Sequence, residues 1–228
     1  MRPRCRDSAF SVVELLVVIS IIVLLVAMLL PALRFARQTA QRAHCQSNMR
    51  QMGAALNNFP NDHDGSLPGP SWYGQTPRYN HGTKDLSRWL ANYMGLPAPE
   101  PTTHLNPYFI CPSAVALIPP PQSPETSYQY GAMSERNPST GLRVFGYPAF
   151  NGEPEYGPSK FTVVQSPSSA AAVRDIDYML HPTAGWWAQT VGTPIHGYAN
   201  GMAQRNYMFF DGHVEGRSEE QEFLAKPE

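Results

Sequence analysis

One apolar run near the N-terminus constrains the fold more than any other feature of the sequence. From Leu15 to Leu30 every residue is apolar except Ser20. A helix over residues 10–33 would be about 36 Å long at about 1.5 Å per residue, enough to cross a hydrocarbon core of about 30 Å. Three arginines among the first six residues precede the run. By the positive-inside rule, we expect one transmembrane helix with its N-terminus in the cytoplasm and the rest of the chain exported.

Glu14, at the start of this run, separates three explanations of the segment. A charged side chain inside a bilayer costs a few kcal/mol, so an unpaired one is a functional hypothesis by default. A cleaved secretory signal needs a short apolar region and a small-x-small cleavage site, but the run is long and "PALRFARQTAQ" offers no such site. A plain membrane anchor explains the length and leaves Glu14 unexplained.

The third explanation is a family resemblance. "AFSVVELLVVISIIVLLVAMLLPAL" resembles the prepilin cleavage and methylation signal of type IV pilins and type II secretion pseudopilins. The resemblance implies a leader peptide of residues 1–9, cleavage between Ala9 and Phe10, and N-methylation of Phe10. Glu14 would be the fifth mature residue and Pro31 the twenty-second, both matching the family pattern. Ala9 stands where the family more often has glycine.

The resemblance also implies an assembly mechanism. Glu14 would pair with the Phe10 amine of a neighbouring subunit, because burying either charge alone is costly. The implied partners are further copies of the chain, other pilin-like subunits, prepilin peptidase and the secretion or pilus assembly machinery. The implied location is the inner membrane, with the head in the periplasm or outside the cell.

The helix is expected to continue beyond the membrane. "RFARQTAQRAHCQSNMRQMGAALNNF" has no glycine or proline before Gly53, and its apolar residues recur mostly at spacings of three or four. This pattern predicts one helix over residues 10–59, with a kink at Pro31 as an option. Two helices that break near Pro31 are the alternative.

Residues 60–228 are expected to form an exported head. The patterns "FTVVQSP" and "AAAVRDIDYML" predict strands, and residues 84–95 predict a short helix. "NYMFFDGHVEG" predicts a hairpin with a two-residue type I′ turn at Asp211-Gly212. The fold class is therefore α+β: a long N-terminal helix packed on a small antiparallel sheet with long loops, as in pilins.

Two cysteines remain after the implied cleavage. Cys5 lies in the leader, which leaves Cys45 and Cys111. They could form one disulfide in an oxidising compartment or remain two unlinked thiols, because the sequence does not show their geometry.

The C-terminal region extends the resemblance. Prepilin-type proteins of certain environmental bacteria often end in a region marked by a histidine, a spacer and Asp-Gly. His196 with Asp211 and Gly212 is similar, although fourteen residues separate His196 from Asp211, more than in the family. "CQSNMRQMGAALNNFPNDHDGSLP" and "YFICPS" look like segments of the same group.

No cofactor and no enzymatic activity are expected. Asn61, Asp62 and Asp64 suggest a calcium loop, but the distal glutamate of an EF-hand is missing. His196, Asp211 and His213, with Asp175 and Asp177 nearby, could bind a metal or could have ordinary strand and turn roles, because nothing in the sequence fixes their distances. None of the common catalytic motifs occurs. The net charge of −1 gives no basic face for nucleic acid.

The sequence thus predicts a structural, pilin-like filament subunit, with two alternatives. One is a membrane-anchored binding protein whose tryptophans grip a polysaccharide or a secreted substrate (Trp72, Trp89, Trp186 and Trp187). The other is a membrane-tethered, metal-dependent enzyme.

Overall fold

The computed structural model describes residues 11–118, 123–127, 129–132, 136–176 and 193–219. The chain divides into two compact units, residues 1–40 and residues 41–228. A long apolar N-terminal helix and an antiparallel sheet give it an α+β layout.

Helix α1 spans Val12–Asp62 without a break at Pro31. It ends three residues later than predicted, because Pro60 is accommodated in the last turn. The chain leaves the helix through left-handed conformations at Asp64 (φ 50°) and Gly65 (φ 75°). The Gly65 amide donates to the Pro60 carbonyl at 2.8 Å, and His63 Nδ1 lies 3.0 Å from the Phe59 carbonyl oxygen. These bonds satisfy carbonyls that a helix end would otherwise leave unpaired.

The head contains a six-stranded sheet within the described part of the chain. Its order is β1-β4-β5-β7-β6, and β8 also pairs with β7. All of these pairs are antiparallel. The strands are β1 (Gly74–Gln75), β4 (Tyr130–Ala132), β5 (Ala171–Asp175), β6 (Tyr198–Ala199), β7 (Met202–Phe209) and β8 (Val214–Glu219).

Shorter elements complete the head. A second, two-stranded sheet pairs β2 (Arg78–Tyr79) with β3 (His104–Leu105). The other helices are α2 (Leu86–Leu90), α3 (Pro112–Val115) and three 3₁₀ turns at Asn92–Met94, Pro107–Phe109 and Phe161–Val163. The last of these corrects a prediction, because "FTVVQSP" begins with a 3₁₀ turn and not a strand. The Phe161 ring packs edge-on to Phe210 at 6.2 Å, so Phe161 is partly buried against the core without joining the sheet.

The hairpin between β7 and β8 is present, but the predicted two-residue turn was wrong. The Phe209 amide donates to the His213 carbonyl at 3.0 Å, which leaves three residues, 210–212, in the loop. Of these three, only Gly212 has a positive φ, 89°, as in a type I turn followed by a glycine bulge. Phe210 is buried in the core and stacks on Phe145 at 5.4 Å, and the longer loop lets it point inward.

Residues of α1 after position 41 supply one side of the head core. Met49, Met52 and Leu56 are fully buried and follow the predicted stripe. The helix also meets the hairpin loop backbone to backbone, because a Cβ added at Gly53 would lie 3.0 Å from Gly212 Cα. Both glycines are therefore needed for this contact. Other core members are Leu86, Leu90, Phe109, Tyr130, Val144, Phe145, Val173 and Met208.

Candidate functional site

The first unit carries the apolar helix segment. It is long and apolar enough to cross a membrane by length and composition, and its large apolar side chains are exposed, from Val12 to Phe35. Ser20, the one polar residue within the run, donates its hydroxyl to the Leu16 carbonyl at 2.7 Å. That bond satisfies the hydroxyl inside the helix and lowers the cost of placing it in lipid.

Glu14 is held at the start of α1 by a capping box. The Ser11 backbone amide donates to Glu14 Oε2 at 2.9 Å, and the Val13 amide donates to Ser11 Oγ at 3.3 Å. The carboxylate also lies at the positive end of the helix dipole. The sequence reasoning missed this role, although the Ser-x-x-Glu spacing of "SVVE" is its signature.

The other predicted assembly residues have different outcomes. Ala9 and Phe10, the predicted cleavage and methylation positions, lie outside the described residues. Pro31 lies within the continuous helix α1. Its ring nitrogen cannot donate to the Ala27 carbonyl, so the helix lacks one internal hydrogen bond at this point.

A disulfide joins α1 to the head. Cys45 and Cys111 are bonded across 66 positions of sequence, and both are fully buried. Cys111 precedes α3 as its N-cap residue. Beside it, the Asn48 amide donates to the Ile110 carbonyl at 2.9 Å. The helix is thus fixed to this part of the head by one covalent bond and one partly buried hydrogen bond.

A buried polar cluster surrounds His196. Its Nε2 lies 3.0 Å from Asp175 Oδ2, and the two side chains are 2% and 0% exposed. The same nitrogen lies 2.6 Å from Asn206 Nδ2. The Asn206 backbone amide donates to Asp175 Oδ2 at 2.6 Å. A single ring nitrogen can accept from Asn206 or donate to Asp175, but it cannot do both at once.

The cluster reaches α1 through Asn206. Its side-chain oxygen accepts from Gln46 Nε2 at 3.0 Å and from Arg42 Nε at 3.4 Å. The cluster (Asp175, His196 and Asn206 with Gln46 and Arg42) therefore links β5, the segment before β6, and β7 to the helix. No periodicity signals it in the sequence, because its members are far apart along the chain.

Asp175 Oδ1 is a buried polar atom with no hydrogen-bond partner among the described residues. Tyr130, fully buried, stands opposite Asp175 where β4 pairs with β5. Burial, followed by the negative charge of Asp175, raises the pKa of Tyr130 well above its ordinary value. Tyr130 therefore stays a neutral phenol at physiological pH.

His196 also lies beside the disulfide. One of its ring nitrogens and the sulfurs of Cys45 and Cys111 are all within 4.8 Å of one another. Such a set could hold a metal ion, but the two sulfurs are bonded to each other here. The arrangement as it stands is a disulfide flanked by a buried imidazole.

Asp211 and Gly212, the Asp-Gly motif, lie in the loop between β7 and β8. The His213 backbone amide donates to Asp211 Oδ1 at 3.1 Å, and His213 Nδ1 lies 2.6 Å from the same oxygen. Partial burial raises the pKa of Asp211, but the hydrogen bonds and charge of His213 outweigh it and lower the pKa below its usual value. His196 faces Asn206 within β7, whereas Asp211 follows the end of that strand, so the structure does not join them in one site.

The two tryptophans in the described parts of the chain make different contacts. Trp72 packs edge-on against Tyr147 at 5.3 Å and Phe150 at 5.7 Å. Trp89 lies in α2 and donates its indole N–H to the Pro70 carbonyl at 3.2 Å. Trp186, Trp187 and Asp177 lie outside the described residues. Asp62 and Asp64, considered for calcium, occupy the end of α1 and the turn after it.

Comparison with protein-family models, with curated proteins and with solved structures found no match to this chain.

Proposed function

We propose that the protein is a pilin-like subunit, a pseudopilin, of a type II secretion or type IV pilus-like filament. It is inserted in the inner membrane, processed by prepilin peptidase between Ala9 and Phe10, and then assembled. The observation that carries the proposal is the position of Glu14, a carboxylate in the first turn of an otherwise apolar, exposed helix. The α+β head with a long helix is compatible with such a subunit.

The geometry of Glu14 gives the proposed assembly step a physical basis. Oε2 is occupied by the Ser11 amide, whereas Oε1 receives no hydrogen bond from any described residue. A carboxylate within the hydrocarbon region costs up to about 3 kcal/mol on insertion scales, the full cost applying at the centre, and one amide donor offsets only part of the cost at Glu14. An amine from a neighbouring subunit's Phe10 would complete the pairing and stabilise one register between neighbouring helices.

The exposed helix would supply most of the contact in such a filament. Its apolar side chains have no partner in the described monomer, and a bundle of helices would cover them with dispersion contacts as good as those of lipid. Packing between neighbouring helices then drives the association of subunits, and the pairing of Glu14 with the Phe10 amine sets their offset along the filament.

The experiment is mass spectrometry of the intact protein from membranes that contain prepilin peptidase. The expected product begins at Phe10 and carries one methyl group on its amine. A matched sample without the peptidase should retain residues 1–9. Protein that keeps Met1 in both samples, or that is cut after Leu30, would contradict the proposal.

A further inference from the structure

A cleft at the C-terminal end of α1 is not part of the assembly segment. It has a volume of about 530 Å³, and its lining includes Asp62, His81, Arg88, Trp89, Asn92 and Tyr93. These residues come from the end of α1, the loop after β2, α2 and the 3₁₀ turn that follows it. All belong to the second compact unit.

One wall of the cleft is fixed by hydrogen bonds. The Tyr93 hydroxyl donates to Asp62 Oδ2 at 2.8 Å and lies 3.4 Å from His63 Nδ1. The His63 ring stacks on Phe59 with ring centres 3.7 Å apart. Burial and Asp62 raise the pKa of Tyr93, so its hydroxyl remains a donor. Asp62 is therefore held in place before any ligand arrives.

Arg88 and His81 bring further hydrogen-bond donors to the cleft. The Arg88 guanidinium lies over the Trp89 ring at 4.6 Å and donates through one terminal nitrogen to the Thr83 carbonyl at 3.0 Å. The remaining N–H groups of this planar fork make no hydrogen bond to a described residue. The exposed His81 imidazole likewise has no hydrogen bond or ion pair within the described residues. These donors suit a carboxylate, which a guanidinium binds through two parallel hydrogen bonds.

The combination of groups indicates the chemistry of the ligand. Aromatic rings with fixed polar groups at their edges suit a molecule that is apolar on its faces and polar around its rim. Asp62 can accept from hydroxyl groups, and the Asn92 amide can donate and accept. Because the Arg88 guanidinium is cationic with N–H groups still free to donate, and Asp62 is already bonded to Tyr93, the remaining charge preference of the cleft is for an anion.

We propose that this cleft binds a short stretch of carboxylated carbohydrate, a chain that contains uronic acid residues. Arg88 and His81 bind the carboxylate, Asp62 and Asn92 bind hydroxyls, and the Tyr93 ring contacts the face of a sugar. This site is independent of filament assembly, because none of its residues belongs to the apolar helix segment.

The test is isothermal titration calorimetry of the full chain in detergent micelles. Digalacturonate is the probe, and galactobiose is the matched neutral sugar. Digalacturonate should bind saturably, at least tenfold more tightly than galactobiose, and its affinity should fall as salt is added. Inorganic phosphate should not displace it at equal concentration.

Matched variants locate the site. Arg88→Gln should weaken digalacturonate binding at least tenfold. Arg136→Gln is the control, because the Arg136 guanidinium also donates to a backbone carbonyl, that of Gly141. This variant should bind digalacturonate as tightly as the unaltered protein does. His81→Ala should weaken digalacturonate binding at least threefold. Because His81 is exposed, this variant should fold normally and still tests the site if Arg88→Gln disturbs α2.

Each contrary outcome overturns the proposal. Absence of saturable digalacturonate binding excludes the ligand class, and equal binding of galactobiose excludes the carboxylate. Equal competition by phosphate would mean a simple anion site. Unchanged binding in both Arg88→Gln and His81→Ala would place the sugar elsewhere. None of these results bears on the mass of the mature N-terminus, so this proposal and the filament proposal fail separately.

Discussion

The Ser11 backbone amide and the Glu14 carboxylate are joined by a hydrogen bond of 2.9 Å. This bond gives Glu14 a role within the monomer, because it caps the first turn of α1 before any neighbour is present. Capping needs only an oxygen acceptor, whereas pairing with an amine needs a negative charge. Substitutions at this position can therefore separate the two roles.

Glu14→Gln should keep the cap and lose assembly. Its amide oxygen can still accept from Ser11, so the membrane-inserted monomer should accumulate normally. Incorporation into filaments, measured by crosslinking after co-expression with the assembly machinery, should fall at least tenfold. Glu14→Ala should lose incorporation as well, along with the cap.

Ser11→Ala is the matched control for the two Glu14 variants. It removes the hydroxyl that binds the Val13 amide and keeps the charge of Glu14. The expected cost is about 1 kcal/mol at the helix start, with incorporation close to that of the unaltered chain. Normal assembly of Glu14→Gln would show that the proposed charge pairing is wrong.

His196→Ala should destabilise the head. The change leaves a cavity and removes the partner that Asp175 and Asn206 share, which together cost about 3 kcal/mol in the free energy of unfolding. The measurement is urea unfolding of the full chain in detergent, followed by near-UV circular dichroism. His213→Ala is the control, because the side chain of His213 is 42% exposed, and it should cost less than about 1 kcal/mol. Equal losses in the two variants would mean that the buried cluster contributes nothing special to stability.

Removal of the Cys45–Cys111 disulfide should lower the free energy of unfolding. For a link between residues 66 positions apart, the chain-entropy model gives about 4 kcal/mol in the free energy of unfolding. The double substitution Cys45→Ser with Cys111→Ser should show this loss in the same urea titration. A reducing agent should shift the midpoint of the unaltered protein and leave that of the double variant unchanged. A double variant as stable as the oxidised protein would contradict the expectation.

Asp85 should make the head less stable as the pH rises. Burial raises its pKa to about 6, against the lowering effect of its hydrogen bonds with Thr76; the Thr76 hydroxyl donates to it at 2.6 Å. The folded state therefore holds this proton more tightly than the unfolded state, whose carboxyl titrates near 4. Stability is fully present below about pH 4 and falls as the pH rises through about 6, by about 3 kcal/mol in all.

Asp85→Asn tests this dependence. The variant should gain stability relative to the unaltered chain between about pH 4 and pH 7, as measured by thermal unfolding across that range. Asp64→Asn, which makes the same change at an exposed position, is the matched control. A difference between Asp85→Asn and the unaltered chain that does not vary with pH would contradict the assignment.

Local patterns in the sequence predicted the longest of the regular elements and missed most of the short ones. The apolar run and the spacing after it predicted a helix like α1, because both depend on neighbours within two turns. The short helix near Trp89 and the hairpin at Asp211-Gly212 were also visible. The hairpin loop was wrong by one residue, because burial of Phe210 against Phe145 is a tertiary effect that turn preferences do not include.

The sequence predicted less of the candidate sites than of the helices and strands. His196 was singled out by resemblance, but its contacts with Asp175 and Asn206 depend on how β5 and β7 pair. The cleft depends on the meeting of the end of α1 with α2 and the loop after β2, and no spacing rule connects them. Glu14 was different: its capping bond is local, and the Ser-x-x-Glu pattern could have predicted it.

The bond between Cys45 and Cys111 has a mechanical consequence. Tension along α1 would otherwise peel the helix from the head one turn at a time, since such peeling breaks a few noncovalent contacts at each step. With the two sulfurs joined, peeling stops at Cys45, and the load passes to the covalent chain. Reduction of the disulfide would then uncouple α1 from the rest of the head, whereas tension alone would not.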